Sequence, residues 1–191
     1  VRGSFSLDMR VQKDGGFSTG LKVGITDRFQ FGMSFGASNL IGDDSLKWYP
    51  HPEVNLKYRL VDETKSMPGI AIGLNSQGYG AYNEILERYE VKAYGLYAAA
   101  SKNWATPLGN MGIHAGVNQN FLEILDQDED QSLFMGIDLE FNPELSLLVE
   151  YNAALNENDM KAEDIAINRG GYLNAAVRWT FVERLHIEMD F

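Results

Sequence analysis

Three histidines and one run of alternating carboxylates are the side chains of this sequence best suited to proton transfer or cation binding: His51, His114, His186 and Asp126-Gln127-Asp128-Glu129-Asp130. A hydrolytic triad built on His114 or His186 needs a hydroxyl and an acid. Asn118, Glu188 and Asp190 lie near them in sequence, but no serine stands in the glycine-flanked turn that strains a nucleophile. No pair of histidines has metal-ligand spacing. The acidic run shares with calcium loops only its alternation, because its sixth position is Gln131 rather than glycine and its twelfth is Ile137 rather than glutamate. The expectation is an acidic solvated loop, with at most weak divalent contact of the kind that bridges anionic lipopolysaccharide. Glu157, Asp159, Glu163 and Asp164 extend that expectation to the longest loop, and Gly15-Gly16 and Gly170-Gly171 precede no helix that would cradle phosphate. No catalytic residue, cofactor or metal ligand is assigned.

Composition narrows the class further. The 191 residues suit one domain and include no cysteine, which excludes disulfide frameworks and thiolate chemistry. Sixteen basic against 27 acidic residues give a net charge of −11, a surface that repels nucleic acid. No apolar run approaches the ~18 residues of a membrane helix. The chain opens at Val1 without a basic-then-apolar leader, so any signal peptide is expected to have been removed already or never to have been included.

Alternation with a period of two dominates instead, the signature of strands. Phe5, Leu7, Met9 and Val11 alternate with Ser4, Ser6, Asp8 and Arg10; Phe29, Phe31, Met33 and Phe35 alternate with Gln30, Gly32 and Ser34. The same pattern predicts eleven strands, most about ten residues long, the last being Leu185 to Phe191. Tyr89 to Trp104 is extended, but Lys92, Tyr94, Leu96 and Lys102 share one parity, which leaves its register open. Asn39 to Trp48, Asn83 to Tyr89 and Phe121 to Gln131 each have room for a helical turn, without a sustained helical stripe. The five prolines fall between strands or at a strand start.

Which way the apolar face points follows from size. Eleven strands enclose more space than inward Phe, Leu and Ile side chains fill, whereas a wet lumen suits the other face. That face is rich in small residues, among them Gly20, Gly24, Gly32, Ser34, Gly36, Gly73, Gly112, Gly116 and Gly136. Its charged members are expected to line the lumen: Arg10, Lys22, Lys57, Arg59, Glu140, Glu150 and Arg178. Short links alternate with long ones, the habit of outer-membrane barrels with short periplasmic turns and longer extracellular loops. Phe29, Trp104, Phe141, Tyr172, Trp179 and Phe181 are candidates for interfacial girdles. The fold expected is thus all-β: one antiparallel up-and-down transmembrane β-barrel of about 11–12 strands over residues 1–191. An odd count puts the first and last strands in the same direction, so a further descending strand is expected beyond Phe191, or a parallel closure, or a strand from another chain.

Gly24-Ile25-Thr26-Asp27-Arg28-Phe29-Gln30-Phe31-Gly32 forms one strand–turn–strand phrase. Pro68 to Gly73, Gly78-Tyr79-Gly80, Ala99 to Asn103 and Gly112 to Gly116 form a second block. Together they resemble bacterial outer-membrane barrels of the YjbH-like, exopolysaccharide-associated kind. The resemblance implies a membrane barrel with a link to surface polysaccharide, and carries no catalytic residue across. Three functions stay open: a non-enzymatic outer-membrane pore or scaffold, a soluble antiparallel β-sheet binding module, and an outer-membrane barrel hydrolase acting through His114 or His186. The partners expected for the first are outer-membrane lipid, lipopolysaccharide and other envelope components.

Overall fold

The computed structural model describes residues 2–11, 15–41, 45–158, 170–182 and 185–190, with backbone alone for 181–182 and 185–190. The strands are β1 (Phe5–Val11), β2 (Phe17–Gly24), β3 (Phe29–Ser38), β4 (Lys47–Trp48), β5 (Glu53–Val61), β6 (Gly69–Asn75), β7 (Tyr79–Asn83), β8 (Arg88–Val91), β9 (Gly95–Thr106), β10 (Gly109–Gln119), β11 (Ser132–Asn142), β12 (Leu145–Asn152), β13 (Tyr172–Val182) and β14 (Leu185–Asp190). Eleven of them form one antiparallel path, β1-β2-β3-β5-β6-β9-β10-β11-β12-β13-β14, with β4 pairing β3 and β7–β8 a separate hairpin. Ten of these correspond to the runs that alternation marks out, and the eleventh, β9, lies in the extended stretch from Tyr89 to Trp104. The tight connections are made by local acceptors: Thr26 Oγ1 takes the N–H of Phe29 at 2.9 Å, and Asn142 Oδ1 takes those of Glu144 and Leu145 at 2.9 Å each.

Register keeps the two faces apart across the whole sheet. One row runs Phe5–Val23–Phe31–Leu56–Leu74–Leu96 and another runs Ile113–Ile137–Val149–Ala175. The opposite face carries Ser6–Lys22–Gly32–Asn55–Asn75 and Ser101–His114–Gly136–Glu150–Asn174. The apolar side is the uncovered one: Phe5 is 77% exposed, Met135 57% and Ile137 51%. Phe31 and Leu56, paired in register, are half-buried against their neighbours.

The glycines of the polar face have a packing reason. Tyr97 lies over Gly73, Phe134 over Gly116 and the Tyr49 ring over Gly36, each where a Cβ would stand. Aromatic rings covering strand glycines restore the buried area that the missing side chains give up. Inside the concavity Tyr94 stacks on Phe134 with centroids 5.0 Å apart.

Tyr89 to Trp104 is two elements rather than one. β8 ends at Val91, and Gly95 enters β9 at φ 66, a left-handed conformation that glycine adopts without penalty. This inverts the alternation, so Tyr94 points into the concavity while Leu96 is 54% exposed on the apolar side. A single parity therefore cannot describe the segment.

The sheet is strongly curled. Arg10 and Val11 of β1 line the same cavity as Glu150 and Asn152 of β12 and Tyr172 and Asn174 of β13. Among the described residues β1 pairs only with β2 and β14 only with β13, so closure into a barrel is not seen. Antiparallel succession along eleven strands makes β1 and β14 run in the same direction. Phe191 lies outside the described residues.

Candidate functional site

The polar face and the segment that closes one end of it make up the candidate site. Of the seven charged side chains expected there, Arg10 stacks its guanidinium 4.7 Å from the Tyr79 ring centre and Lys22 Nζ lies 2.6 Å from Asp8. Lys57 stands between Gln30 and Gly73 in register, and Glu140 between Asn110 and Ser146. Glu150 accepts a hydrogen bond from the Tyr94 hydroxyl across the concavity, and Arg178 pairs in register with Ser146 and Glu188. Arg59 turns to the short-link rim, donating to Asp27 O at 2.6 Å and meeting Asp62 at 2.9 Å.

At the long-loop end, residues 76–94 leave the wall and cross its concave side. They touch inner-face groups from one side of the sheet to the other. Gln77 meets Ser34 of β3 at 2.9 Å, Ser76 bonds Glu53 of β5, Tyr79 lies under Arg10 of β1, and Tyr94 reaches Glu150 of β12. Tyr49, Tyr82 and Tyr89 pack edge to face, with the Tyr49 hydroxyl donating to Gly80 O at 3.0 Å. A cavity of about 470 Å³ remains between this segment and the wall.

Carboxylates fasten the segment. Arg88 Nη1 lies 2.5 Å from Asp126 and its Nη2 3.3 Å from Glu157. Lys92 Nζ lies 2.7 and 2.8 Å from the two oxygens of Asp126, and donates to Asp128 O at 2.7 Å. Glu123 accepts the backbone N–H groups of Tyr89 and Ala93 at 2.7 Å each; Glu157 accepts that of Lys92 at 2.7 Å and the Tyr172 hydroxyl at 2.8 Å. The Tyr89 hydroxyl donates to Glu53 at 2.8 Å. Burial raises both Glu123 and Glu157 above the usual carboxyl range, against the opposing pull of these donors and of Arg88. Burial and the nearby Glu53 carboxylate also push the Tyr89 phenol up. Apart from Asn118 Oδ1, every buried side-chain nitrogen and oxygen among the described residues has a partner.

The solvated acidic loop holds for Glu129 and Asp130, which are exposed, and is overturned for the other two carboxylates of the run. Asp126 and Asp128 are 5% and 4% exposed, and Glu157 is buried with them. Their cations, Arg88 and Lys92, come from a separate loop. Asp159, Glu163 and Asp164 lie outside the described residues. Tyr172 is likewise no girdle residue, because it lines the inner cavity. No group of His, Asp and Glu able to hold a metal occurs among the described residues.

Lower on the polar face, His114 Nδ1 lies 2.8 Å from Ser101 Oγ and its Nε2 bonds Asp138. Register makes this Ser–His–Asp set, which sequence neighbourhood does not reveal: Ser101 and His114 are partners across β9–β10, and Asp138 is diagonal on β11. Ser101 is paired on both sides, with Gly69 and His114, whereas Lys102 and Asn103 pair with β10 alone, and the Asn103 side-chain amide donates to Glu63 at 2.7 Å. His186 stands opposite Thr180, its side chain outside those described.

No protein-family model matches this chain, and no curated protein matches it.

Proposed function

We propose that this chain is a non-enzymatic outer-membrane β-barrel, a scaffold or narrow pore whose long-loop mouth is occupied by residues 76–94. The observation that carries the reading is the outward face. On the strands whose side chains are described, Lys102 is its one charged group, and that ammonium folds back onto Glu63 and Thr64 O. A continuous apolar exterior of this extent is costly in water and suited to lipid. Exposed aromatics gather at both rims, Trp104, Phe141 and Trp179 toward the short links and Trp48 and Phe121 toward the long loops, as in the girdles of membrane barrels. The soluble alternative needs a second layer over that face, whereas the eleven strands form a single sheet. No helix among the described residues is long and apolar enough to cross a membrane, which says nothing of strands. Partners consistent with this reading are outer-membrane lipid and lipopolysaccharide; the YjbH-like resemblance adds a surface-polysaccharide system.

All three tryptophans, Trp48, Trp104 and Trp179, are exposed on this side. Reconstituted into vesicles, their fluorescence is expected to be quenched by brominated lipid, more by bromine placed near the headgroups than at the chain ends. A chain that stays soluble without detergent and shows no quenching would contradict the reading.

A second reading, a lumenal hydrolase, draws on Ser101, His114 and Asp138. Its test is Ser101→Ala and His114→Ala against lipid and peptide esters. The scaffold reading expects no hydrolysis that either variant abolishes.

A further inference from the structure

We propose that residues 76–94 are a gate: a latched plug that swings out of the long-loop mouth as a unit and opens the lumen. The inference deepens the barrel reading, on which only its conduction step rests.

Three observations carry it. The hairpin β7–β8 is a sheet of its own that shares no ladder with the wall, so displacing it breaks no wall pairing. A glycine stands at each junction with the wall, Gly78 just before β7 and Gly95, at φ 66, where β9 begins. The latch is made of acceptors from separate elements, Glu53 at the start of β5, Glu123 and Asp126 in the β10–β11 loop, and Glu157 after β12. These hold the groups around Arg88, Tyr89 and Lys92; the segment's other contacts with the wall lie at its two ends, Ser76 and Gln77 against β3 and β5 and Tyr94 against Glu150 and Phe134, and on Tyr49, while Ala81, Glu84, Ile85 and Glu87 at the tip are exposed. Here a polar latch joins a separable element to a concavity lined by small residues.

The test uses the full chain, whose lack of cysteine allows clean double labelling. Spin labels at Glu84→Cys on the hairpin and Glu144→Cys in a short link report the plug's position in detergent. Ion current through planar bilayers reports the lumen. The latch variants are Asp126→Asn, Arg88→Met and the milder Tyr89→Phe, which removes only the hydroxyl bonded to Glu53; circular dichroism checks that the wall is folded. The unmodified latch is expected to give one narrow distance distribution and little current. The variants are expected to add a displaced population and to raise current at least about tenfold. An unchanged distribution in every folded variant would overturn the gate. So would displacement without added current, or an intact chain that conducts as well as its variants. Failure of the membrane reading would show separately, in tryptophans that brominated lipid does not quench.

Discussion

Arg88 and Asp126 meet 2.5 Å apart with side chains 3% and 4% exposed, although 38 residues separate them in sequence. Removing Arg88 takes one of the two cations from a cluster in which Asp126, Glu123 and Glu157 stay buried and only Lys92 remains to face them, at a cost of about 3–5 kcal/mol. Arg88→Met is therefore expected to loosen residues 76–94 selectively, seen as faster amide exchange there with the wall strands unchanged. The more exposed Lys22–Asp8 pair, 2.6 Å apart, is expected to cost about 0–1 kcal/mol when Lys22 becomes Met. Equal effects would show that the buried pair is not the latch.

The latch also has a pH signature. Desolvation holds Glu123 and Glu157 above the usual carboxyl value of 4.5 while the segment is seated. Seated, these groups bind protons more tightly than when released, so their contribution is fully present below 4.5 and is lost as pH rises through the raised values. The groups facing them are Arg88, Lys92, Tyr172 and Asn120, with Glu53, His51, Asp126 and Asp128 in the same cluster. Exchange protection at Tyr89 and Ala93, corrected for intrinsic rates, is expected to rise as pH falls from neutrality toward 4.5. Protection that falls over that range would contradict the assignment.

Glycines of the inner face separate by what covers them. A Cβ on Gly73 would strike the Tyr97 ring and Leu56 O, whereas the nearest atom to a Cβ on Gly136 is Val149 O at 3.4 Å. Gly73→Ala is expected to destabilise by about 1–3 kcal/mol, as overpacking does. Gly136→Ala is expected to be neutral or to stabilise by up to about 1 kcal/mol. Urea unfolding of the reconstituted chain measures both, and reversal of their order would remove the ring-over-glycine account.

Strand parity is local, and for that reason ten of the eleven wall strands were legible from alternation, while β9 was legible only as part of an extended stretch whose parity Gly95 breaks. So were the sides on which Ile137 and Gly136 lie. The hairpin was not, because Gly80 takes a positive φ and the β7–β8 register shifts between Tyr79 and Tyr82, which erases the period. Nor was the burial of Asp126 and Asp128, since solvation depends on Arg88 and Lys92 arriving from another loop. Two cations close together in a long link of an acidic chain were the available signal. Ser101, His114 and Asp138 become neighbours only once register is known.

The most direct measurement is a nitroxide scan along β11 from Leu133 to Leu139 in lipid vesicles. Leu133, Met135, Ile137 and Leu139 share one face, and Phe134, Gly136 and Asp138 the other. Collision with dissolved oxygen, which concentrates in lipid, is expected to peak at the first set. Collision with a water-soluble nickel complex is expected to peak at the second, with a period of two throughout. A nickel complex that reaches Met135 and Ile137 as readily as Gly136 would put water on the apolar face, and the account of this chain as a membrane barrel would fail.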